Sequence, residues 1–576
     1  MKSFKQNTYL LFAIFLLVSI TILLNEKKKS SERQLASLNF MKCTVANFML
    51  EAVDSTQQIA PIFEGLGNHH LKISTDEPDC QMFFDQGLKL TYAFNHAEAH
   101  RSFLEASRLD PSSPMTYWGQ AYALGPNIND PIPDSKRRIK ANEAALKALK
   151  HVSKADSKEK ALIEALSVRY SADTTIDLNI LDERYMEAMQ KVVKKFPDDT
   201  DILTLFAASV MNTTRWNYWN ESNEPMNGIA EAKKGLEKAI KINPKNPGAH
   251  HYYIHMVELP NPDLAVQSAD SLGNLMPSAG HIVHMPSHIY IRVGRYLDAV
   301  KVNQKAILAD EDYISQCYAQ GMYPLAYYPH NVHFLWSAAS LLGHSEIAID
   351  AAKKTAEKVP VGEMKDLHFL QNFAATPLLS YVRFGKWNDI LTTPPPNQEI
   401  KHLRLIWHYA RGVAFAKKEN LKEAKEELEA IEAMLLDDDL KNMMAVGFDS
   451  SHTIATLASE IVSGEIALME ARFDEAISHF KNAVHIEDSL VYNEPSAWYI
   501  PPRQNLGTAL LKAERYDEAE STFKEDLAEL RQNGWSLTGL YLSLEKQGKL
   551  EEANQIRQEL KKAMEHSDLE ITAAVF

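Results

Sequence analysis

The chain has 576 residues, of which 45% are hydrophobic and 24% are charged, and its 61 Lys and Arg against 76 Asp and Glu give a formal net charge of -15. This balance is typical of a chain that folds around an apolar core, and it excludes disorder and collagen-like structure. A net-negative chain lacks the concentrated basic surface that binds phosphate backbones, so we expect no nucleic-acid partner.

The cysteines exclude further classes of protein. Cys43, Cys80 and Cys317 are too few for a disulfide framework in so long a chain. None of them stands in a C-x-x-C or C-x-x-C-H spacing, so the sequence gives no support to thioredoxin chemistry, a thiolate zinc site or covalent haem.

An apolar segment lies at the N-terminus. The chain has no charged residue from Gln6 to Asn25, and Leu10 to Leu24 is almost wholly apolar. Because about twenty helical residues span about 30 Å, the thickness of one bilayer core, this segment predicts an N-terminal transmembrane helix. No small-x-small cleavage site comes after Leu24, which favours an uncleaved anchor over a removed signal segment.

The sequence supports two orientations of this segment across the membrane. Basic residues directly after it, Lys27, Lys28, Lys29 and Arg33, favour a cytoplasmic location for the C-terminal body of the chain. An N-terminal segment of this form, however, commonly exports the body of its protein. We expect a membrane-anchored protein whose body is exported to the periplasmic or extracellular face.

Beyond the apolar segment the pattern is helical almost throughout, because apolar residues recur three and four positions apart, as in Ala145, Leu146, Ala148 and Leu149. We divide the chain into a membrane anchor or signal segment (1–30), a linker and lead-in (31–75), N-terminal repeats (76–130), divergent helical repeats (131–245), histidine-rich repeats (246–365), degenerate helical repeats (366–445) and C-terminal repeats (446–576).

One phrase recurs along these segments: a turn residue, an aromatic or aliphatic residue, an acidic residue, and then alanine before an apolar run. Clear copies occupy residues 294–299, 472–476, 515–519 and 548–553. The marker alanines give the period, since Ala299 lies 34 residues after Ala265 and Ala553 lies 34 after Ala519. Ala348 lies 49 residues after Ala299, and the excess of 15 predicts an insertion between about residues 310 and 328.

The phrase and its period resemble the tetratricopeptide repeat (TPR), a pair of antiparallel helices of about 34 residues. The resemblance implies an all-α, right-handed superhelical solenoid of helical hairpins, whose concave surface binds a protein or peptide partner. More narrowly, phrases such as Tyr117-Trp118-Gly119 and Gly125-Pro126-Asn127-Ile128-Asn129 resemble uncharacterised exported bacterial TPR proteins. That closer resemblance implies no particular activity.

Histidines are concentrated in the middle repeats, at equivalent places. His250, His284 and His333 stand fifteen residues before the marker alanines of three consecutive repeats. His281 and His330 stand eighteen before, and His288 stands eleven before. Offsets of three, four and seven lie on one helical stripe, and the TPR resemblance implies that this stripe lines the concave groove.

Two details modify this stripe. His251 and His255 form a separate i, i+4 pair, which we expect on an adjoining face. Pro286 falls inside the stretch from His281 to His288, and a helix that begins near Met285 would place His281 and His284 on its entry turn instead of on the stripe.

Clustered imidazoles predict a site for a divalent transition metal, with zinc or copper favoured. Its candidate ligands are His250, His251, His255, His281, His284, His288, His330 and His333. The nearby oxygen donors are Glu258, Asp310, Glu311 and Asp312. The sequence has no His-Glu-x-x-His helix, no P-loop and no dinucleotide glycine fingerprint, so we expect no nucleotide cofactor.

The sequence therefore predicts a membrane-tethered TPR binding or scaffold protein with a histidine-lined metal site on the concave face of its middle repeats. Two alternatives stay open. In the first, the histidines only pack or form part of a metal-free groove that binds a peptide or protein partner. In the second, the same cluster holds the ion of a metal-dependent enzyme in which Glu258 or a nearby acid acts as base.

Overall fold

The computed structural model describes residues 57–220, 222–317 and 323–576. Over these ranges the chain is built from helices joined mainly by short turns, with one short β-hairpin between β1 (Met444–Val446) and β2 (Asp449–Ser450), which pair antiparallel. The predicted all-α helical-repeat architecture is confirmed.

The N-terminal part consists of helices that pack mainly against their neighbours along the chain. They are α1 (Pro78–Tyr92), α2 (His96–Leu109), α3 (Pro114–Leu124), α4 (Ser135–Lys150), α5 (Ser157–Ser167), α6 (Leu178–Lys195), α7 (Thr200–Thr214) and α8 (Ile229–Ile242). Aspartates cap several of them, as where the Asp134 side chain accepts from the backbone N–H of Arg137 at 3.0 Å. Such a cap satisfies a backbone donor that the helix itself leaves unpaired.

The middle part contains the histidine-rich repeats. Its helices are α9 (Pro247–Val257), α10 (Val266–Leu272), α11 (Gly280–His284), α12 (Pro286–Arg292), α13 (Tyr296–Cys317), α14 (Tyr328–Leu342) and α15 (Ser345–Glu357). The predicted insertion falls here: α13 has 22 residues, and a π-helical turn at Tyr323–Tyr327 precedes α14. Part of the extra length thus extends the second helix of a pair.

The C-terminal part continues the array to the end of the chain. Its helices are α16 (Phe369–Arg383), α17 (Trp387–Thr392), α18 (Lys401–Lys417), α19 (Leu421–Leu435), α20 (Asp438–Asn442), α21 (Ser451–Met469), α22 (Phe473–Ser489), α23 (Pro502–Lys512), α24 (Tyr516–Glu529), α25 (Gly534–Lys546) and α26 (Leu550–Ala563). The β-hairpin lies between α20 and α21.

The recurring phrase has a structural basis in the turn inside each helix pair. The turn residues Gly294, Ala471, Glu514 and Gly548 all have positive φ, between 57° and 78°. The backbone N–H of the residue after the turn residue then donates to a carbonyl of the preceding helix. The N–H of Arg295, for example, donates to the carbonyl of Tyr290 at 2.8 Å, which is the Schellman arrangement. The second helix starts directly afterwards, so the phrase marks the turn of each TPR-type pair, and the predicted repeat is confirmed.

Small residues allow these pairs to pack closely. The marker alanines Ala299, Ala476 and Ala519 are fully buried. Phe523 of α24 lies between two glycines, because a Cβ at Gly507 or Gly539 would come within 2.4 Å or 2.2 Å of its ring. Aromatic rings inserted between glycines therefore fix the spacing between successive helices.

The prediction of a membrane-spanning helix is corrected. Within residues 57–220, 222–317 and 323–576, no helix combines the length and the apolar character needed to cross a bilayer. Even the 22-residue α13 carries charged residues such as Lys301, Lys305 and Asp310. The segment from Gln6 to Asn25 lies outside the described residues, so the membrane-anchored location predicted from it has no support in any described helix.

Candidate functional site

The candidate histidines lie on four neighbouring helices. The helix α9 supplies His250, His251 and His255, and its start is fixed by Asn246, whose side chain accepts from the N–H of Ala249 at 3.0 Å. This start places His251 and His255 one turn apart on the same face. The remaining histidines come from α11, α12 and α14.

Pro286 divides the second histidine segment as expected. Because proline has no backbone N–H, the helix is interrupted at Met285, and His281 and His284 lie on the short helix before it. The break does not separate the side chains, since Nε2 of His284 lies 2.9 Å from Nε2 of His288 on α12.

Three histidines form what we call the first set: His251, His255 and His281. One ring nitrogen from each lies within 4.8 Å of the others. Nδ1 of His251 lies 2.6 Å from the carbonyl oxygen of Tyr92 and must donate to it, so its Nε2 carries a lone pair. Among the described residues, neither Nε2 of His251 and His255 nor either ring nitrogen of His281 has a hydrogen-bond partner.

Three more form the second set: His284, His288 and His330, also with ring nitrogens within 4.8 Å of one another. Nδ1 of His284 lies 2.7 Å from Oδ1 of Asn303. The Asn303 amide is oriented by its own N–H, which donates to the carbonyl of Ala299 at 2.8 Å. Oδ1 therefore accepts from His284, and Nε2 of His284 carries the lone pair that points into the set.

One carboxylate lies between the two sets. Glu258 comes directly after α9, and its Oε1 lies 3.4 Å from Nδ1 of His255 in the first set. Its Oε2 lies 2.8 Å from Nδ1 of His288 in the second set. Burial alone raises the pKa of Glu258, but the neighbouring His288 and His255 outweigh burial and hold the pKa at about 2. Glu258 is therefore an ionised, buried carboxylate.

Four of the six histidines are held in the neutral form. Burial, followed by repulsion from neighbouring imidazoles, places the pKa values of His251, His281, His284 and His330 well below their ordinary value. A neutral imidazole offers one nitrogen lone pair, the form in which histidine binds a metal.

Two sequence-predicted ligands lie outside both sets. Both ring nitrogens of His250 are bonded, Nδ1 to the hydroxyl of Ser268 and Nε2 to the carbonyl of Pro244, each at 2.9 Å. Nε2 of His333 is hydrogen-bonded to the hydroxyl of Tyr499 at 2.7 Å. The structure instead brings His251 and His255, expected on an adjoining face, together with His281.

Sequence reasoning singled out Glu258 and Asp310 as oxygen donors, and the structure separates them. Asp310 binds Tyr323 and Asn331, at 2.8 Å and 2.6 Å, and belongs to neither set. Asn303 was missed, since an asparagine inside a helix carries no signal of its own. The Tyr92 carbonyl was missed because it lies 159 residues before His251.

A cavity of about 600 Å³ lies against the sets. His255, His281, His288 and His330 form part of its wall. Its other walls come from distant parts of the chain and combine charged and amide side chains with aromatic ones, among them Phe94, Trp216, Tyr327, Phe373, Phe448 and Tyr492. Its size falls in the range of small-molecule sites, and its lining combines apolar surface with a few convergent polar groups, as such sites do.

Comparison with known proteins adds little beyond the repeat. No family model and no curated protein matches the chain. Matching solved structures include a human IFIT1 dimer with m7Gppp-AAAA, at 13% identity and a TM-score of 0.28, covering 85% of this chain and 90% of that one. Yeast Tom70 matches at 13% identity and a TM-score of 0.28, covering 85% and 93%.

The TPR domain of P58(IPK) matches at 14% identity and a TM-score of 0.22, covering 76% of this chain and 99% of that domain. These are TPR-repeat proteins, and the chain shares their repeat. TM-scores this low carry no inference about ligands, partners or the course of the array. The narrower resemblance to exported bacterial proteins stays a prediction.

Proposed function

We propose that this protein is a TPR scaffold that binds a divalent transition metal, zinc or copper, through the buried histidines of α9, α11, α12 and α14. One observation carries the proposal. In the first set, imidazole nitrogens without a hydrogen-bond partner converge, and in the second set Nε2 of His284 and Nε2 of His288 lie 2.9 Å apart. The opposite ring nitrogen of several of these rings faces a carbonyl, an amide or a carboxylate.

Packing alone accounts poorly for this arrangement. A buried polar nitrogen without a partner costs about 1–3 kcal/mol, and the first set contains four such nitrogens among the described residues. A bound cation would satisfy three of these nitrogens at once, one from each ring. Metal-binding histidines ordinarily donate their second N–H to a carbonyl or carboxylate, as His251 and His288 are placed to do.

The donor set favours zinc or copper. Imidazole nitrogen suits both ions, and three histidines leave a coordination position for water or another ligand. The cavity beside the sets offers room for that ligand. We expect neither a nucleotide nor covalent haem. A protein or peptide partner also fits the scaffold, since the extended surface of a helical repeat array serves in protein binding.

A metal-dependent enzyme is the second candidate function, and the cavity favours it because cavity-wall histidines would present an ion to a bound molecule. The arrangement argues against Glu258 as its general base. Both of its oxygens are directed to histidines at 3.4 Å and 2.8 Å, so it serves to orient those rings.

Two adjacent histidines provide the test. The full chain, purified without a histidine tag from medium supplemented with zinc or copper, is analysed by elemental mass spectrometry. We expect stoichiometric metal in the wild type. His251→Asn should lose the metal held by the first set, because a ligand is removed, with affinity there weakened by more than the ~10–100-fold typical of a change beside a ligand.

His250→Asn is the matched control, since His250 is a buried neighbour on the same helix whose nitrogens are already bonded within the protein. It should keep its metal. A metal-free wild type, or equal metal loss in both variants, would contradict the proposal.

A further inference from the structure

We infer that the six histidines form two neighbouring metal sites, one ion in each three-histidine set, with Glu258 holding one ring of each. This inference rests on the proposed metal binding and specifies its stoichiometry.

Geometry separates the two sets. Two nitrogens that bind one zinc or copper ion at about 2.0–2.1 Å lie at most about 4.2 Å apart. The sets share no residue, and within each one the ring nitrogens lie inside 4.8 Å of one another. Among the described residues no group of this kind contains more than three of the six histidines, so the six imidazoles do not all surround one centre.

The two groups are also direct neighbours. The rings of His255 and His288 have centroids 5.3 Å apart, and those of His281 and His284 are 5.8 Å apart. These pairs each join one set to the other. The sites would thus lie side by side along the same cavity wall, which includes members of both sets.

Each set has its own local support. In the first set the Tyr92 carbonyl fixes His251, and in the second the Asn303 amide fixes His284. Both contacts use Nδ1 and leave Nε2 for an ion. Independent anchors of this kind are expected for two sites, since each ion needs ligands oriented by the surrounding protein.

Glu258 links the sites chemically. Its two oxygens face Nδ1 of different histidines, one from each set, and leave Nε2 of both rings directed into their sets. Two dications in a buried region also require nearby negative charge. One carboxylate shared between the sites would reduce the repulsion between the two ions, and it lies where it can orient a ligand in each.

A competing arrangement uses Glu258 itself as a ligand. Glu258, His255 and His288 form a third compact group, which could hold a single ion through the Nδ1 atoms. That arrangement predicts one ion per chain and needs neither His281 nor His330. Stoichiometry therefore decides between one site and two.

The decisive experiment counts zinc per chain by elemental mass spectrometry in the wild type, His281→Asn, His330→Asn and the double variant. We expect two ions, one, one and none. His281 suits this test because its ring nitrogens make no hydrogen bond among the described residues, so its substitution removes no bond from the fold. Thermal unfolding of the chelator-treated proteins verifies that each variant folds, and His250→Asn should retain two ions.

The outcomes separate the inference from the function on which it rests. A wild type with one ion, unchanged in both single variants, would overturn the two-site inference while keeping metal binding. A wild type with no ion would overturn both.

The role of Glu258 as a positioning residue has its own test. In Glu258→Gln the amide oxygen can accept from only one of the two rings, and its NH₂ group opposes the other N–H. Competition with a chromogenic zinc chelator should show both ions bound about 10–100-fold more weakly. Asp310→Asn is the control, since Asp310 is another buried carboxylate, which accepts hydrogen bonds from Tyr323 and Asn331. Without metal, the unfolding temperature of Glu258→Gln should fall no further than that of Asp310→Asn.

Weakening of only one ion, or equal weakening in Glu258→Gln and Asp310→Asn, would overturn the shared role.

Discussion

Two adjacent histidines show how much the role of a residue depends on its contacts. His250 and His251 are both buried on α9, at 2% and 0% exposure. The nitrogens of His250 are both used by bonds within the protein, whereas only one nitrogen of His251 is. Burial therefore does not distinguish a packing histidine from a candidate ligand, and the hydrogen bond at each ring nitrogen does.

Buried histidines also make stability depend on pH, and His402 provides a case away from the candidate site. Its side chain is fully buried on α18, and its Nδ1 lies 3.0 Å from the hydroxyl of Ser451. Burial, with a small contribution from His368, lowers the pKa of His402 to about 3.

The direction in which pH changes stability follows from the proton binding of His402 in the folded and in the unfolded chain. Below pH 6.5 the unfolded chain binds a proton at His402, while the folded chain does not until about pH 3. Stability is therefore lost as the pH falls through this window, by about 2 kcal/mol at pH 5 from this group. The free energy of unfolding, measured by urea titration from pH 8 to pH 5, should decline less in His402→Asn than in the wild type. Parallel declines would contradict the assignment.

At the scale of single residues, the sequence predicted part of the candidate site. Repeat-equivalent offsets identified the histidine-rich helices, and all six members of the two sets were among the predicted ligands. The offsets did not identify the partners that orient the rings. Tyr92 and Asn303 lie 159 and 19 residues from the histidines they bind, so only the folded chain brings them together.

The same limit explains why His250 was grouped with His284. Each contacts a polar side chain later in its own repeat, Ser268 after 18 residues and Asn303 after 19. They differ in the second nitrogen. Nε2 of His250 reaches the carbonyl of Pro244, whereas Nε2 of His284 faces His288. The period of the sequence describes the first contact but cannot predict the second.

At the scale of helices, the turn inside each pair was the strongest sequence signal, because its left-handed residue and back-bonded N–H recur with the period. The spacing between helices depends on glycines that the phrase does not include. Phe523 of α24 occupies the space that Gly507 on α23 and Gly539 on α25 leave open.

We expect Gly539→Ala to destabilise the C-terminal repeats. The Cβ of the new alanine would lie 2.2 Å from the Phe523 ring. The ring cannot move away, because its other side packs about as closely against Gly507. Overpacking of this kind costs about 1–3 kcal/mol, more than the ~1 kcal/mol that alanine gains over glycine in a helix. Thermal unfolding followed by circular dichroism should show a lower midpoint.

Gly235→Ala on α8 is the matched control. Its Cβ would lie 3.6 Å from Leu203, an ordinary contact, so the helix preference of alanine should raise stability by up to about 1 kcal/mol. Shifts of the same sign in both variants would contradict the packing argument.

At the scale of the whole molecule, the C-terminal repeats return to the middle of the chain. Nε1 of Trp535 donates to the carbonyl of Ser340 at 3.0 Å, and the hydroxyl of Tyr296 donates to the carbonyl of Arg531 at 2.7 Å. The sequence predicted the repeats but not this return, because the path of a solenoid accumulates small rotations from every pair. The cavity, whose walls come from the N-terminal, middle and C-terminal parts, could not be predicted for the same reason.

The C-terminal tail after α26 completes this return by capping a middle helix. Asp568 accepts from the backbone N–H groups of Ser345 and Glu346, at 2.7 Å and 2.9 Å, at the start of α15. The residue before α15, His344, provides no side-chain cap of its own. A carboxylate here satisfies two backbone donors and faces the positive end of the helix.

Asp568→Ala should therefore destabilise the protein by about 1 kcal/mol, the usual value of an N-terminal cap. Because Asp568 also attaches the tail to α15, the variant should be cut faster by a protease after Ala563, as followed by mass spectrometry of the released C-terminal peptides. Glu570→Ala, an exposed acidic residue of the same tail, is the control and should match the wild type in both assays. Equal cleavage rates in the wild type and Asp568→Ala would mean that the tail is held by its apolar contacts alone, chiefly the buried Ile571 and Ala574.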